Sequence, residues 1–250
     1  NDFMGAVKVT SGNDVTLVDL NGIDLGTSTV TGTMDVTAGG DVTNNSGALS
    51  VGGKTTVSAA GRDVKLDDLG NDFNSIAVTS ATATVVDQNG VDLDGMNVAS
   101  DLSVTSGGAV GHAITDTGAN AVGGILTLGA GLADVVLNAS NEFLAVKATA
   151  ANVTLTYATG IDLGTSNVSG GLKVTSGGAI TDSGDVAAST LEFSAGTAVT
   201  LDQAGNDFGT VAGTSAGATE IVDTDDLSIG TVGAVTGIDA GSGTIHLKAG

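Results

Sequence analysis

The sequence predicts an all-β protein, a right-handed parallel β-helix of about eleven coils. Three observations favour this fold class. Val, Ile and Thr, which suit strands, alternate with polar residues, and 40 Gly together with many Asp and Asn residues separate them as turn formers. Related phrases return with a period of about 70 residues. Pro is absent, as expected where nearly every strand donates hydrogen bonds to a neighbour.

Two phrases mark the period, and each is written four times. "NDF" or a near copy occurs at 1–3, 71–73, 141–143 and 206–208. The "GIDLG" phrase begins at 22 and 160, with a variant, "GVDLDG", at 90–95 and a degenerate copy, "GIDAGSG", at 237–243. A catalytic motif is normally present once. A phrase repeated at a fixed period indicates architecture.

We expect one continuous β-helix over residues 1–250, a segment of a longer repetitive chain. Its repeats cover approximately 1–70, 71–140, 141–205 and 206–250. Each full repeat divides into three units of about 20–26 residues, in which short strands alternate with Gly or Asx turns. Three coils per repeat, stacked about 4.8 Å apart, predict a rod of roughly 50 Å. The right hand follows from the chirality of parallel crossovers.

Two other all-β architectures fit less well. A β-propeller needs blades of about 40 residues or more with aromatic marks, and the chain has only five Phe, one Tyr and no Trp. An array of β-sandwiches would show larger modules with bulkier core residues. The sequence therefore favours the β-helix.

Charge and composition exclude several classes of function. The formal net charge of −21 argues against binding to nucleic acid or to anionic membrane surfaces. No apolar run reaches the ~18 residues of a membrane span, so membrane insertion is not expected. The absence of Cys excludes a disulfide framework and Cys-based metal sites.

The recurring Gly and Asp residues are predicted to be structural. In the first "GIDLGTS", Ile23 and Leu25 should point inward, while Thr27 and Ser28 should point outward or cap the next turn. The corner glycines are Gly22, Gly90 and Gly160, and the outward carboxylates are Asp24, Asp92 and Asp162. Copies three coils apart lie about 14 Å from each other. That distance is too large for a shared carboxylate pair.

The "NDF" phrase is predicted to mark a corner of the coil. Its Asn side chains should satisfy free backbone groups, as Asx residues do in turns, and its Phe rings should fill the wider end of the coil. The residues concerned are Asn1, Asn71, Asn141 and Asn206, with Phe3, Phe73, Phe143 and Phe208.

Signals for chemistry are weak. Asp223, Asp225 and Asp226 are the best Ca²⁺ candidates, but no EF-hand loop and no tandem Ca²⁺-binding nonapeptide is present. His112 and His246 are predicted about six coils apart, too far to share a metal. Arg62 beside Asp63 offers a faint polysaccharide-lyase pattern. We therefore expect no catalytic residue, no metal site and no cofactor, and no enzymatic activity.

The sequence also resembles a known class of repeats. The runs "VTSGNDVTLVDLNGIDLGTSTVTG", "LKVTSGGAITDSG" and "GGKTTVSAAGRDVKLDD" look like the repeats of filamentous-haemagglutinin-type adhesins. These are giant bacterial surface or secreted proteins exported by two-partner secretion or as autotransporters. The resemblance covers essentially the whole chain. It implies a right-handed β-helical shaft, a Gram-negative source and a role in adhesion or matrix assembly.

The resulting expectation is a structural shaft of a large extracellular or cell-surface adhesin or filament. Its expected partners are further copies or flanking repeats stacked end to end, and host or bacterial glycans or proteins through regions outside this chain. A glycan- or cation-binding β-helix module is the alternative, and a polysaccharide lyase or hydrolase is the third hypothesis. A groove lined with aromatic residues would favour glycan binding, and a basic residue among three carboxylates would favour a lyase.

Overall fold

A computed structural model describes all residues 1–250 and contains 26 strands and no α-helix. The first thirteen are β1 Val15–Asp19, β2 Ile23–Val30, β3 Met34–Ala38, β4 Val42–Ser58, β5 Asp63–Leu66, β6 Asp72–Ser80, β7 Thr82–Val86, β8 Val91–Leu93, β9 Asn97–Val98, β10 Leu102–Thr105, β11 Ile114–Asp116, β12 Ala121–Gly129 and β13 Val135–Ala150. The remainder are β14 Val153–Tyr157, β15 Ile161–Leu163, β16 Ser166–Ser176, β17 Ile180–Asp182, β18 Val186–Ala195, β19 Val199–Leu201, β20 Asp207–Ser215, β21 Thr219–Val222, β22 Ser228–Ile229, β23 Thr231–Val232, β24 Val235–Thr236, β25 Ile238–Asp239 and β26 Ile245–Lys248. No helix is present that is long and apolar enough to span a membrane.

The strands stack in parallel, one coil on the next. A ladder of paired residues runs through Ile23, Val42, Val64, Ala83, Leu102, Leu126, Val146 and Leu163. Leu163 lies on the same strand as Ile161. A second ladder runs from Ile161 through Ile180, Val199, Thr219 and Ile245. The seven steps of the first run and the four of the second confirm the predicted parallel β-helix of about eleven coils.

The register refines the number of coils in a repeat. On the ladder that begins at Ile23, the third step reaches Ala83 and the fourth reaches Leu102. Val91, from the second copy of the phrase, lies between them in the chain and pairs on a different ladder. The third copy returns to the first ladder at Leu163, seven steps from Ile23. A repeat therefore spans between three and four coils, and successive copies of a phrase lie on different sides of the shaft.

The core is a single column of aliphatic side chains. Alternate residues of each strand point inward, as in Val153–Tyr157 with its buried, half-buried, buried pattern. A single contiguous cluster contains 55 buried apolar residues, which establishes one core rather than several. Because each coil contacts only its neighbours, that core is the sum of coil-to-coil interfaces.

One short segment departs from the parallel pattern. Strands β23 and β24 form an antiparallel hairpin within the last coil. In that coil the contacting residues Glu220 and His246 are 26 residues apart in the chain. In an earlier coil, Asp72 and Asn89 meet although they are only 17 residues apart. Coils therefore absorb insertions at their corners while the ladders stay in register.

Candidate functional site

The carboxylates of the "GIDLG" phrase fasten neighbouring coils together. Each accepts hydrogen bonds from two hydroxyl groups of the following coil and is half-buried. The sets are Asp24 with Thr43 and Ser46, Asp92 with Thr115 and Thr117, and Asp162 with Thr181 and Ser183. Since both oxygens of each carboxylate are occupied, these residues act as clamps between coils.

The glycine of the phrase permits a close approach between coils. A Cβ atom at Gly22 would lie 2.8 Å from the carbonyl oxygen of Asp41, and one at Gly90 would lie 2.6 Å from that of Ala113. A Cβ at Gly160 would be less crowded, 3.3 Å from the carbonyl oxygen of Ala179. None of the three has a positive φ. The lack of room for a Cβ atom, rather than an unusual backbone angle, therefore explains why Gly occupies positions 22 and 90.

One detail of the phrase differs from the sequence prediction. Ser28 is buried, where its Oγ donates to the Gly26 carbonyl and accepts from the Val9 N–H at 2.9 Å. Ile23 and Leu25 point inward as expected. The hydroxyl faces the interior because it satisfies two backbone groups at a point where the register between β2 and β4 shifts.

The structural equivalent of the "GIDLG" phrase in the fourth repeat is not the segment "GIDAGSG" at 237–243. In the second and third repeats, the residue three after Phe pairs with the Leu of the phrase, as Ile76 does with Leu93. In the fourth repeat, Val211 pairs with Ile229. Ser228 therefore occupies the place of the clamping Asp. The similar letters at 237–243 belong to a different part of the coil.

The Asn of the "NDF" phrase is fully buried in the last three copies. Asn141 Nδ2 donates to Asp116 Oδ2 at 2.6 Å, and Asn141 Oδ1 accepts from the backbone N–H and the Nδ2 of Asn120, both at 3.1 Å. Asp116 also accepts the backbone N–H of Asn138 at 2.7 Å. These amides and carboxylates join successive coils through the interior.

The other two buried copies follow the same plan with one substitution. Asn206 donates to Asp182 at 2.7 Å and accepts the Val186 N–H at 2.8 Å. Burial raises the pKa of Asp182 above its ordinary value. Asn71 instead meets the amide of Asn44 at 2.7 Å. The first repeat therefore builds the junction from two amides where the later ones use an amide and a carboxylate.

The Phe rings of the phrase pack in the core, two of them beside a second buried carboxylate. Phe73, Phe143 and Phe208 are 1 %, 6 % and 0 % exposed. Asp87 accepts the backbone N–H of Phe73 at 2.6 Å, and Asp223 accepts that of Phe208 at 2.7 Å. Each of these two carboxylates thereby anchors the coil that carries the ring.

The first copy lies at the edge of the stack. Asn1 is exposed, and its carbonyl accepts the Leu20 N–H at 2.8 Å. Phe3 is half-buried, and its N–H donates to the buried Asp19 at 2.7 Å. The backbone hydrogen bonds from Phe3 and Asn21 lower the pKa of Asp19.

The third repeat replaces this carboxylate with an aromatic residue. Tyr157 stands where Asp87 stands in the second repeat, three residues before the Gly of the "GIDLG" phrase. Its ring meets Phe143 edge to face, with centroids 5.2 Å apart. Burial raises the pKa of the Tyr157 hydroxyl strongly. An aromatic pair thus stabilises the corner that a hydrogen bond stabilises in the other repeats.

Sequence reasoning missed the buried carboxylates. No role is predicted from the sequence for Asp19, Asp87, Asp116 or Asp182, yet all four side chains are buried. The available signal was positional, because Asp19, Asp87 and Tyr157 each precede the Gly of the phrase by the same distance. A residue position that recurs at a fixed distance from a repeated phrase indicates a structural role.

The Ca²⁺ candidates are not arranged around a common point. Asp223 is buried and accepts N–H groups from Phe208 and Asp225, whereas Asp225 and Asp226 are exposed. No group of three or more His, Cys, Asp or Glu side chains is placed to hold a metal ion. Asp223 therefore accepts backbone hydrogen bonds from its own coil and from the preceding coil.

The remaining candidates for chemistry are also separate from one another. Arg62 Nε donates to the Gly39 carbonyl at 3.2 Å, and Arg62 pairs with neither Asp63 nor Asp67. His246 contacts Glu220 at 3.0 Å on the adjacent strand, and His112 lies in a turn closed by Ala109. The lyase pattern considered for Arg62 is therefore absent from this structure.

Asp87 predicts a dependence of stability on pH. Burial raises its pKa from 3.8 to about 6, although the N–H groups of Phe73 and Asn89 oppose the shift; nearby Asp72 adds to it and His112 opposes it. The folded chain therefore binds more protons than the unfolded chain between these values. The contribution of Asp87 is complete below pH 3.8 and is lost as the pH rises through about 6.

We expect the free energy of unfolding of the wild type, relative to Asp87→Asn, to fall by about 2–3 kcal/mol between about pH 4 and about pH 7. Urea unfolding of both proteins at several pH values measures this difference. Asn cannot ionise, so its profile lacks the contribution of residue 87. Parallel profiles for the two proteins would contradict the prediction.

The comparisons with known proteins identify the repeat. No curated protein and no solved structure is significantly similar to the chain. A family model described as repeats of unknown function (DUF5649) matches residues 12–80, 79–149 and 150–215. These three matches together cover most of the 250 residues. The chain therefore belongs to the family of DUF5649 repeats.

Proposed function

We propose that this chain is a structural shaft within a large extracellular adhesin or filament of a Gram-negative bacterium. The observation that carries the proposal is the unbroken stack of paired strands through eleven steps. A stack of this kind is rigid along its axis, since each inner coil is bonded to two others. A rigid rod holds a binding region away from a cell surface.

The distribution of acidic groups also supports a structural role. The clamping and buried carboxylates described above direct their oxygens to hydroxyl and N–H groups of adjacent coils. They are therefore engaged in architecture, and we propose that the chain has no catalytic activity. The absence of Cys suits a protein that is exported unfolded, because no disulfide can form prematurely.

The last coil supports continuation by further repeats. Ile245 and Leu247 of β26 follow the inward ladders of Thr219 and Ile221, yet they are 48 % and 38 % exposed. An edge strand with apolar side chains is a template for another strand. We propose that a coil of a flanking repeat or of a second copy covers it.

Deleting one whole repeat tests the shaft proposal. Residues 79 and 149 hold equivalent positions, so removal of residues 80–149 joins matching coils. We expect a folded rod shortened by three to four coils, about 16 Å. Small-angle scattering measures the maximum dimension. Deletion of 80–134, which ends at a different corner of the coil, is the control and should unfold.

The cellular part of the proposal has its own test. Antibodies against this chain should label intact, unpermeabilised cells of the producing bacterium. Loss of the whole parent protein should reduce attachment or aggregation of the cells. Loss of residues 80–149 alone should leave most of the attachment intact, because a spacer tolerates shortening. Labelling only after permeabilisation would contradict the proposal. Full loss of attachment in cells that lack only residues 80–149 would also contradict it.

A further inference from the structure

Three grooves on the surface occupy equivalent places in successive repeats. Each spans about three stacked coils, and each contains the acidic residue that lies between Asn and Phe of the "NDF" phrase. Their volumes are about 290 Å³ at Asp72, about 480 Å³ at Glu142 and about 430 Å³ at Asp207. Since they recur with the sequence repeat, the grooves are a property of the repeat in this chain and not of one irregular coil.

The largest groove combines an apolar floor with one charge. Val98, Val122 and Phe143 follow one another on a ladder and line its floor. The exposed side chains of Glu142 and Leu144 point outward on either side of Phe143. The middle coil presents only Ala and Gly at the matching outward positions, which makes the surface concave there.

The carboxylates in these grooves lack cationic partners. No Lys, Arg or His lines any of the three grooves. Lysines that form ion pairs do so with Asp94, Asp67 and Glu192. Glu142 and Asp207 have no side-chain hydrogen bond, and Asp72 accepts only one, from the Asn89 amide at 3.2 Å. The three groove carboxylates differ in this respect from the clamping Asp residues.

We propose that each groove binds a Lys or Arg side chain from an extended basic segment of a partner protein. The aliphatic stem of such a side chain suits an apolar floor, and its charged head suits a single unpaired carboxylate. The net charge of −21 attracts a basic segment over a longer range.

The spacing of the grooves sets the shape of the partner. Successive grooves are three to four coils, about 16 Å, apart along the axis, and they lie on different ladders. An extended chain advances about 3.3–3.6 Å per residue. Five positions is therefore the minimum spacing from the axial rise alone, and the path around the shaft requires a longer spacing between basic residues that enter neighbouring grooves. Simultaneous engagement increases the overall affinity.

The test uses a fluorescent peptide with three Lys residues separated by twelve-residue Gly/Ser spacers, long enough to reach grooves on different sides of the shaft. Its affinity for the full chain is measured by fluorescence anisotropy at about 0.15 M salt, where surface attraction is partly screened. The groove variant is Asp72→Asn/Glu142→Gln/Asp207→Asn. The control is Asp35→Asn/Asp185→Asn/Asp226→Asn, which has the same net charge and changes exposed carboxylates outside the grooves.

We expect the groove variant to weaken binding at least tenfold and the control to weaken it no more than threefold. Equal weakening in both variants would mean general attraction to a polyanion and would overturn the proposal, as would unchanged binding in both. Glu142→Gln alone removes no internal hydrogen bond, so misfolding would not explain weaker binding by this variant. It should weaken binding about twofold to threefold, and an unchanged affinity would again contradict the proposal.

Discussion

Replacing Phe208 with Ala should destabilise the protein by about 3–5 kcal/mol, the usual cost of emptying a buried aromatic site. Phe208 is 0 % exposed and stacks on Ala188 in the ladder below. Ala188 is too small to fill the space left by the ring. The cost therefore includes a cavity as well as the lost burial of the ring.

The loss should also be local. Coils contact only their neighbours, so the coils around residue 208 should lose protection while distant ones keep it. Urea unfolding measures the total loss, and hydrogen exchange by mass spectrometry shows where it occurs. The matched control is Leu69→Ala, because Leu69 is 80 % exposed. Equal destabilisation by the two substitutions would contradict this account of the core.

Replacing Asn141 with Ala should cost about 2–5 kcal/mol, since a hydrogen bond to a charged group contributes about 1.5–3 kcal/mol and a buried N–H left without a partner costs about 1–3 kcal/mol. The substitution removes the amide that donates to Asp116 and the oxygen that accepts from Asn120. Both partners are buried and stay in place. Neither gains water as a substitute partner without opening the coil.

Asn138→Ala is the matched control for this prediction. Asn138 lies in the same strand, its side chain is exposed, and only its backbone N–H contacts Asp116. We expect its effect on urea unfolding to stay within about 0.5 kcal/mol. A double-mutant cycle between Asn141→Ala and Asp116→Ala should show strong coupling. Additive effects in that cycle would argue against a shared junction.

The strands and the period were readable from the sequence because both are local properties. Alternation of the kind seen in "LKVTS" reflects two faces of one strand, and repeated turns need the same Gly and Asx residues each time. The burial of Phe73 and Phe208 also follows from their size and apolar character. None of these inferences requires knowing which coil lies above another.

The number of coils per repeat was harder to read, because the coils differ in length. Three equal units fit a repeat of about 70 residues. In the structure, residues that meet across adjacent coils can be 17 residues apart, as Asp72 and Asn89 are, or 26 residues apart, as Glu220 and His246 are. Pairing alone fixes where one coil ends and the next begins. For the same reason, the letters "GIDAGSG" resembled the phrase, while the register assigns its place to the segment around Ser228.

By itself the sequence determined an all-β chain with a regular long period, strands with one buried face, and a strongly acidic composition. Only the tertiary structure decided which Asp residues are clamps and which are buried anchors, and which carboxylates are left unpaired in grooves. Asp24, Asp87 and Glu142 are all acidic residues flanked by similar short strands. Their roles differ because the partner atoms come from another coil, about 20 residues away in the chain, and the letters around a residue do not specify those atoms.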